Sequence, residues 1–177
     1  MAKQRLWVNG ATYHITNRGV RKESIFFNDL DKHMFVLILS EVRYKYPFKL
    51  HAYCLMNNHF HLLIETTGMN PSKIMQIIQQ RYSRYFNRTY QKEGHVFQSR
   101  FFASKIQDDD HLLTVSRYIH LNPVAAGLSN KPGDYLWSSY NTFIKQSTRK
   151  DPLVETAATF SCYAHNPREM YKKYVER

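Results

Sequence analysis

Two apolar runs separated by a pair of asparagines constrain the fold of this chain more than any other feature. The runs cover residues 48–56 and His59–Thr66, and each has the length and apolar content of a β-strand. Asn57 and Asn58 between them suit a tight turn, because asparagine tolerates the left-handed backbone conformations that such turns require. The sequence therefore predicts a β-hairpin at this point of the chain.

Strand and helix patterns flank this hairpin in a definite order. They comprise a strand at 11–16, a helix from Asp29 or Asp31 to Tyr46, the hairpin, a helix at about 72–92, a strand at 95–106 with a break near Ser99 and Arg100, and a helix ending near Asn122. Pro123 disfavours continuation of that last helix. The order predicts an α+β fold of ferredoxin-like (split βαβ) topology. It is an antiparallel sheet with helices on one face, plus an additional C-terminal helix that bears Tyr118.

Length and composition indicate one domain with a short appendage. The chain has 177 residues, of which 43% are hydrophobic, so residues 1–145 can form one packed domain. Residues 146–177 are more polar, and we expect a C-terminal extension with a short helix near 167–176. Cys54 and Cys162 are too few for a disulfide framework, and the sequence predicts neither a signal peptide nor a membrane-spanning segment. We therefore predict a cytoplasmic protein with no membrane partner.

The charge balance favours a polyanionic partner. Lys and Arg outnumber Asp and Glu by 25 to 14, which gives a formal net charge of +11. Basic side chains displace the counterions condensed on phosphates, and 13 Tyr and 11 Phe supply aromatic faces on which unpaired bases stack. This combination favours single-stranded nucleic acid. Charge alone leaves ribosomal, RNA-binding and membrane-surface proteins open.

His59 and His61 are the first candidates for chemistry. Alternate residues of a strand project from the same face, so both imidazoles point one way while Phe60, Leu62 and Ile64 point the other. Two neighbouring imidazoles can share one divalent ion. The alternative interpretation is a pair of surface histidines on a half-exposed strand.

Tyr118 and Asn122 are the second candidates. They are four residues apart on a predicted helix and therefore share one face. A tyrosine hydroxyl can attack a phosphodiester when a nearby cation offsets the charge that builds on the phosphate, and an asparagine amide oxygen can join a metal shell. The alternative is that Tyr118 packs beside an apolar stripe and that Asn122 caps the helix before Pro123.

Taken together, these residues resemble the single-tyrosine HUH transposases, in which U denotes a hydrophobic residue. The His59-Phe60-His61 triplet and the later helical Tyr118 carry the resemblance. Four further stretches are similar in the same order, namely residues 10–19 (GATYHITNRG), 94–101 (GHVFQSRF), 118–128 (YIHLNPVAAGL) and 137–140 (WSSY). The similarity covers about residues 5–145, and the Tyr-x-x-x-Asn-Pro form resembles most the REP-associated tyrosine transposase branch.

The resemblance implies a specific reaction. His59 and His61 would hold Mg²⁺ or Mn²⁺, with Asn122 as the third ligand, and Tyr118 would attack the scissile phosphate. Single-stranded DNA would then be cleaved and rejoined at or near hairpins through a 5′-phosphotyrosine, with a free 3′-hydroxyl released. Ala125 departs from the pattern, because relatives often carry a basic residue in that stretch. The resemblance leaves both a homodimer and a monomer open.

We expect DNA contacts from cations in three places: the loop after the first strand, one face of the second predicted helix, and the 94–101 stretch. These cations are Arg18, Arg21, Lys22, Arg81, Arg84, Arg88 and Arg100. For the helix arginines, a solvated face is the alternative. Five other histidines have no metal-ligand spacing, and we predict structural or surface roles for them: His14, His51, His95, His111 and His120.

A second functional hypothesis belongs to a different class. The same ferredoxin-like sheet could serve as a non-catalytic regulatory module that binds single-stranded DNA or RNA. Modules of that kind present aromatic residues for base stacking on the strand where this chain presents His59 and His61, which favours the enzyme.

Overall fold

The computed structural model describes residues 7–145 and 152–177. The strands are β1 (Thr12–Arg18), β2 (Phe48–Leu55), β3 (His59–Thr66) and β4 (Phe102–Lys105). The helices are α1 (Asp29–Lys45), α2 (Pro71–Tyr90), α3 (Asp109–Ala125), α4 (Tyr140–Ile144), α5 (Ala157–Ser161) and α6 (Pro167–Val175). No helix within these residues combines the length and the hydrophobicity that crossing a membrane requires.

The four strands form one antiparallel sheet in the order β2-β3-β1-β4. β1 and β2 run parallel to each other on either side of β3, which is the split βαβ arrangement. The β2–β3 hairpin turns through Asn57 and Asn58, and the Met56 amide donates to the His59 carbonyl at 2.9 Å. The predicted hairpin and the predicted fold class are both confirmed.

The helices divide between the two faces of the sheet. α1 and α2 cover one face, where Phe60, Leu62 and Ile64 of β3 are fully buried. The additional helix, α3, covers the opposite face and packs Leu112 and Ile119 there, against residues of β2 and β3. The residues of β3 that alternate with the buried apolar ones therefore point toward α3.

Two predicted boundaries are wrong. α3 continues past Asn122 to Ala125 with Pro123 inside it. The helix tolerates this proline in its last turn because only one backbone hydrogen bond is lost, and the Leu128 amide donates to the Pro123 carbonyl at 2.8 Å. The fourth strand begins at Phe102 rather than at residue 95, because its ladder with β1 ends at the pair Thr16–Phe102 and pairing resumes only as an isolated bridge between Gly19 and Phe97. The interruption includes Ser99 and Arg100, where the sequence predicts a break.

The described part of the C-terminal extension packs onto the main sheet and helices. Leu153, Val154, Tyr171 and Val175 are buried in the same hydrophobic core as α1 and α2. The Arg43 guanidinium of α1 also donates to the carbonyls of residues 152 and 153, at 2.8 Å and 3.1 Å. The predicted domain boundary at 145/146 lies next to residues outside the described part of the chain, so it stays a prediction. The described residues of the extension contribute to a core shared with the main domain.

Candidate active site

His59 and His61 project from β3 toward α3, on the face predicted from strand alternation. Their ring centroids lie 5.0 Å apart with the rings nearly perpendicular. His61 is buried at 5% exposure, whereas His59 is half-buried and lines an open cavity of about 550 Å³. The structure therefore places the two imidazoles side by side at the base of a solvent-accessible cleft.

α3 brings Tyr118 and Asn122 over the histidines. The Tyr118 ring centroid lies 5.5 Å from that of His61, and the Tyr118 side chain is 53% exposed. The Asn122 amide nitrogen donates to the Tyr118 carbonyl at 3.0 Å, and its side chain lies close enough to both imidazoles to favour their protonated forms. All four predicted site residues of the histidine and tyrosine motifs therefore meet in one place.

Polar contacts with α6 and with the segment before α4 fix the orientation of α3. The Tyr171 hydroxyl lies 2.6 Å from the Ser116 hydroxyl and 2.7 Å from His120 Nδ1. His120 Nε2 lies 2.9 Å from the Ser139 hydroxyl, and His120 is fully buried. Because Ser116 and His120 are held on the buried side of the helix, Tyr118 is directed to the opposite side. The structural role predicted for His120 is confirmed.

His14 also lies at the site, so the structural or surface role predicted for it from the sequence is corrected. Its Nε2 lies 2.9 Å from His61 Nδ1, and the two rings stack at a centroid distance of 5.2 Å. The Tyr118 ring is 6.0 Å away from that of His14. Alternation along β1 puts His14 on the same face as Thr16, but only the pairing register, in which Thr16 lies opposite His61, brings His14 to this pair.

Burial keeps the site histidines neutral. The pKa of His61 is lowered to about 3, mainly by burial and also by the charges that His14 and His59 would carry, against a smaller opposing effect of Asn122. Burial likewise lowers the pKa of His14 to about 4, with a contribution from His111. It also lowers the pKa of His59. Neutral imidazoles keep a lone pair, which is the form that binds metal.

The ring nitrogens of both histidines suit a divalent cation. His61 Nε2 is buried and has no hydrogen-bond partner among the described residues. His59 Nδ1 lies 2.6 Å from Asn58 Oδ1, and if it donates this hydrogen bond, its Nε2 is left with the free lone pair. Among the described residues, no group of three or more His, Cys, Asp or Glu side chains is arranged to hold a metal. Protein ligands would therefore be two imidazoles and the Asn122 amide, a mixed shell that suits Mn²⁺.

Three of the predicted DNA-binding cations line the same cavity. They are Arg18, Lys22 and Arg100. Arg18 is oriented by a 2.6 Å hydrogen bond from its Nε to Gln98 Oε1. Phe102 of the edge strand β4 also lines the cavity at 61% exposure, and the sequence did not single it out. An exposed aromatic between cations provides a face for base stacking.

The other four predicted cations lie away from the histidines. Arg21 has a left-handed backbone (φ 54°) and lines a separate cavity that also contains Glu23 and Glu93. The three α2 arginines lie on the helix that covers the opposite face of the sheet. Arg81 is paired with Glu41, while Arg84 and Arg88 are exposed. DNA contacts by these four residues stay predictions.

The fold and the site together define a class of protein. A ferredoxin-like sheet with a His-x-His pair facing a helical tyrosine is the arrangement of the single-tyrosine HUH proteins. The chain belongs to the family of IS200-like transposases, whose family model matches residues 7–122.

Two relatives agree with this assignment. A protein of Haemophilus influenzae described as a REP-associated tyrosine transposase is 30% identical over 111 residues, which are 56% of this chain and 63% of that protein. The chain thus spans less than two thirds of that relative's length. A solved structure of a REP-associated tyrosine transposase bound to a REP hairpin has a TM-score of 0.68 at 18% identity, covering 88% of this chain and 98% of the other. It shows a shared fold, and the predicted resemblance is confirmed.

Proposed function

We propose that this chain cleaves and rejoins single-stranded DNA at or near hairpins, with Tyr118 as the nucleophile. The observation that carries the proposal is the convergence of Tyr118 and Asn122 of α3 with His59 and His61 of β3 in one cleft of a single chain. Membership of a transposase family supports the reaction class, and the hairpin-bound relative supports the form of the substrate.

The proposed reaction exchanges one phosphodiester for another. The Tyr118 hydroxyl oxygen attacks the scissile phosphorus, and the bond from phosphorus to the 3′-oxygen of the preceding nucleotide breaks. The phenolic proton is lost, and the departing oxygen takes up a proton to become a 3′-hydroxyl. The DNA stays attached through a 5′-phosphotyrosine, which retains the energy for the reverse attack by a 3′-hydroxyl and for rejoining.

His59, His61 and Asn122 are the proposed ligands of Mg²⁺ or Mn²⁺, which would neutralise charge on the scissile phosphate. The buried, unpartnered Nε2 of His61 supports this assignment. Because neutral imidazoles and an amide contribute no negative charge, we expect metal binding to be weak until DNA phosphate oxygens complete the shell.

Arg18, Lys22 and Arg100 are the proposed contacts to the DNA backbone around the cleft, with Phe102 as a stacking face. Arg21 and the α2 arginines Arg81, Arg84 and Arg88 lie elsewhere, and any contacts from them would need a longer DNA path. Because one chain supplies every site residue, we propose that chemistry does not require a tyrosine helix from a second copy. A cytoplasmic location stays part of the proposal.

The test is incubation of the protein with labelled hairpin oligonucleotides carrying single-stranded flanks, in Mn²⁺, followed by denaturing electrophoresis. A covalent protein–DNA band is expected. Tyr118→Phe should abolish the band, because the only loss is the hydroxyl, and should leave hairpin affinity nearly unchanged.

The matched control is Tyr44→Phe. Tyr44 is 93% exposed on α1, away from the cleft, so this variant should form the adduct at the normal rate. A band that persists in Tyr118→Phe would identify another nucleophile. Tight hairpin binding by the wild-type protein with no band on any hairpin would instead support the binding-module hypothesis.

A further inference from the structure

We propose that His14 is a positioning residue that selects the protonation tautomer of His61 and so prepares His61 Nε2 to bind a metal. The inference rests on the proposed metal site, and it assigns a role to a residue outside the His-x-His and tyrosine motifs.

The contact between the two rings is specific. His14 Nε2 and His61 Nδ1 are 2.9 Å apart, a distance that requires a proton between them. His14 sits on the central strand β1, where it pairs with Leu63 of β3 on one side and Ser104 of β4 on the other. Pairing on both sides holds the His14 backbone in place, so its ring is a fixed partner of His61.

One proton in this hydrogen bond allows two arrangements. If His61 Nδ1 donates to His14 Nε2, then His61 Nε2 carries a lone pair and can bind a metal. If His14 Nε2 donates instead, the proton of neutral His61 sits on Nε2 and blocks it. For two neutral rings that share one proton across 2.9 Å, these two arrangements are the alternatives.

The buried environment of His61 Nε2 favours the first arrangement once a cation is present. That atom makes no hydrogen bond within the described residues, although the Asn122 side chain lies near it, so an N–H there would be buried without a well-formed hydrogen bond, which costs free energy. A metal on the same atom satisfies it. His14 serves as the acceptor that this state needs, and it is not itself a ligand because its Nε2 already faces the other side of the His61 ring.

The two histidines of the pair are thus supported differently. His59 Nδ1 faces the Asn58 amide oxygen at 2.6 Å, and the amide nitrogen of Asn58 donates to the Lys22 carbonyl at 3.1 Å, which fixes the amide orientation. An amide oxygen can only accept. The partner of His61 is instead the neutral imidazole of His14, which can accept or donate. Whether His14 accepts or donates therefore decides whether His61 Nε2 is available to a metal.

The test measures metal binding without chemistry. A Tyr118→Phe protein, loaded with a hairpin oligonucleotide selected by its binding to that variant, is titrated with Mn²⁺ while free Mn²⁺ is followed by electron paramagnetic resonance. Adding His14→Leu removes the acceptor and should weaken Mn²⁺ binding about 10–100-fold, the usual effect of losing such a partner of a metal-bound histidine. His14→Gln keeps an acceptor oxygen and should retain most of the affinity.

A matched control is His111→Gln. His111 is close enough for its charge to act on His14, but it makes no hydrogen bond to His61 among the described residues, so Mn²⁺ affinity should not change. Equal Mn²⁺ binding by His14→Leu and its Tyr118→Phe parent would overturn the inference and leave the metal site standing. Failure of the parent to bind Mn²⁺ while it holds DNA would remove the metal site itself.

A second measurement requires no change at His14, should His14→Leu fail to fold. Long-range nitrogen–proton NMR spectra of Tyr118→Phe with hairpin DNA and Mg²⁺ distinguish the two tautomers of His61. We expect the proton on Nδ1. A proton on Nε2 in the presence of Mg²⁺ and DNA would contradict the proposal.

Discussion

The two faces of the sheet use the same strand alternation for different purposes. On one face, Phe60, Leu62 and Ile64 are fully buried against α1 and α2. On the other, His59 and His61 project toward α3 beside an open cavity of about 550 Å³. One strand therefore stabilises the fold with one set of side chains and presents ligands with the other. Substitutions one residue apart should have different consequences.

The largest expected effect is on chemistry at the open face. His59→Ala combined with His61→Ala should reduce adduct formation at least about 10³-fold at any tolerable Mn²⁺ concentration, since metal neutralisation of phosphate charge is worth several kcal/mol. Quantitative denaturing electrophoresis measures this loss. The double variant should still bind hairpins, and EDTA should not change that affinity. Full activity in the double variant would remove the metal-site assignment.

The opposite pattern is expected one residue away, on the buried face. Phe60 is fully buried, and its ring centroid lies 5.0 Å from that of Phe35. Phe60→Ala should lower the free energy of unfolding by about 3–5 kcal/mol, as large-to-small core substitutions do. Urea denaturation measures it. At a temperature where the variant is folded, the adduct rate should stay near normal. A Phe60→Ala protein that is stable but has lost cleavage would refute the claim that one face of β3 stabilises the fold and the other serves the chemistry.

A smaller effect is expected at the rim of the open face. Phe102→Ala should weaken binding to hairpins with a single-stranded flank by about 1–3 kcal/mol, the usual value of one base–aromatic stack. Fluorescence anisotropy measures this affinity, and hairpins without the flank provide the comparison. Phe102→Trp should restore binding. Equal losses for flanked and unflanked hairpins would show that Phe102 does not stack on an unpaired base.

The last comparison concerns acid stability in EDTA. The folded pKa values of His14 and His61 lie near 4 and 3, below the ordinary value of 6.5, so the unfolded chain takes up protons first as the pH falls. Stability is therefore complete above about pH 6.5 and decreases from there toward pH 3. Urea denaturation at pH 7 and pH 5 should show a steeper loss for the wild-type protein than for the His59→Ala, His61→Ala variant. An equal loss of unfolding free energy between pH 7 and pH 5 in the two proteins would contradict the burial of these histidines in their neutral form.

Local periodicity predicts which side chains of each motif share a face, whereas the roles expected of them came from the family resemblance. Alternation in β3 places His59 and His61 on one face, and the four-residue spacing in α3 places Tyr118 and Asn122 on one face. Both arrangements are properties of a single element. The order of the elements then predicts the sheet topology, because connections of these lengths favour one arrangement.

What lies between elements could not be predicted in the same way. His14 reaches His61 only through the register of β1 against β3, which tertiary packing determines. Arg21 and Lys22 both adopt left-handed backbone conformations, with φ of 54° and 64°, and only Lys22 lines the cleft. α2 has a clear apolar stripe, but that stripe does not reveal which face of the sheet it covers, so the position of its arginines relative to the histidines stayed unknown.

The most direct test of the central claim is to identify the amino acid attached to DNA. The wild-type protein is incubated with a cleavable hairpin and Mn²⁺, the DNA is digested, and the peptides are analysed by tandem mass spectrometry. We expect a nucleotide joined through its 5′-phosphate to Tyr118. A 3′-linked nucleotide, or attachment to any other residue, would contradict it.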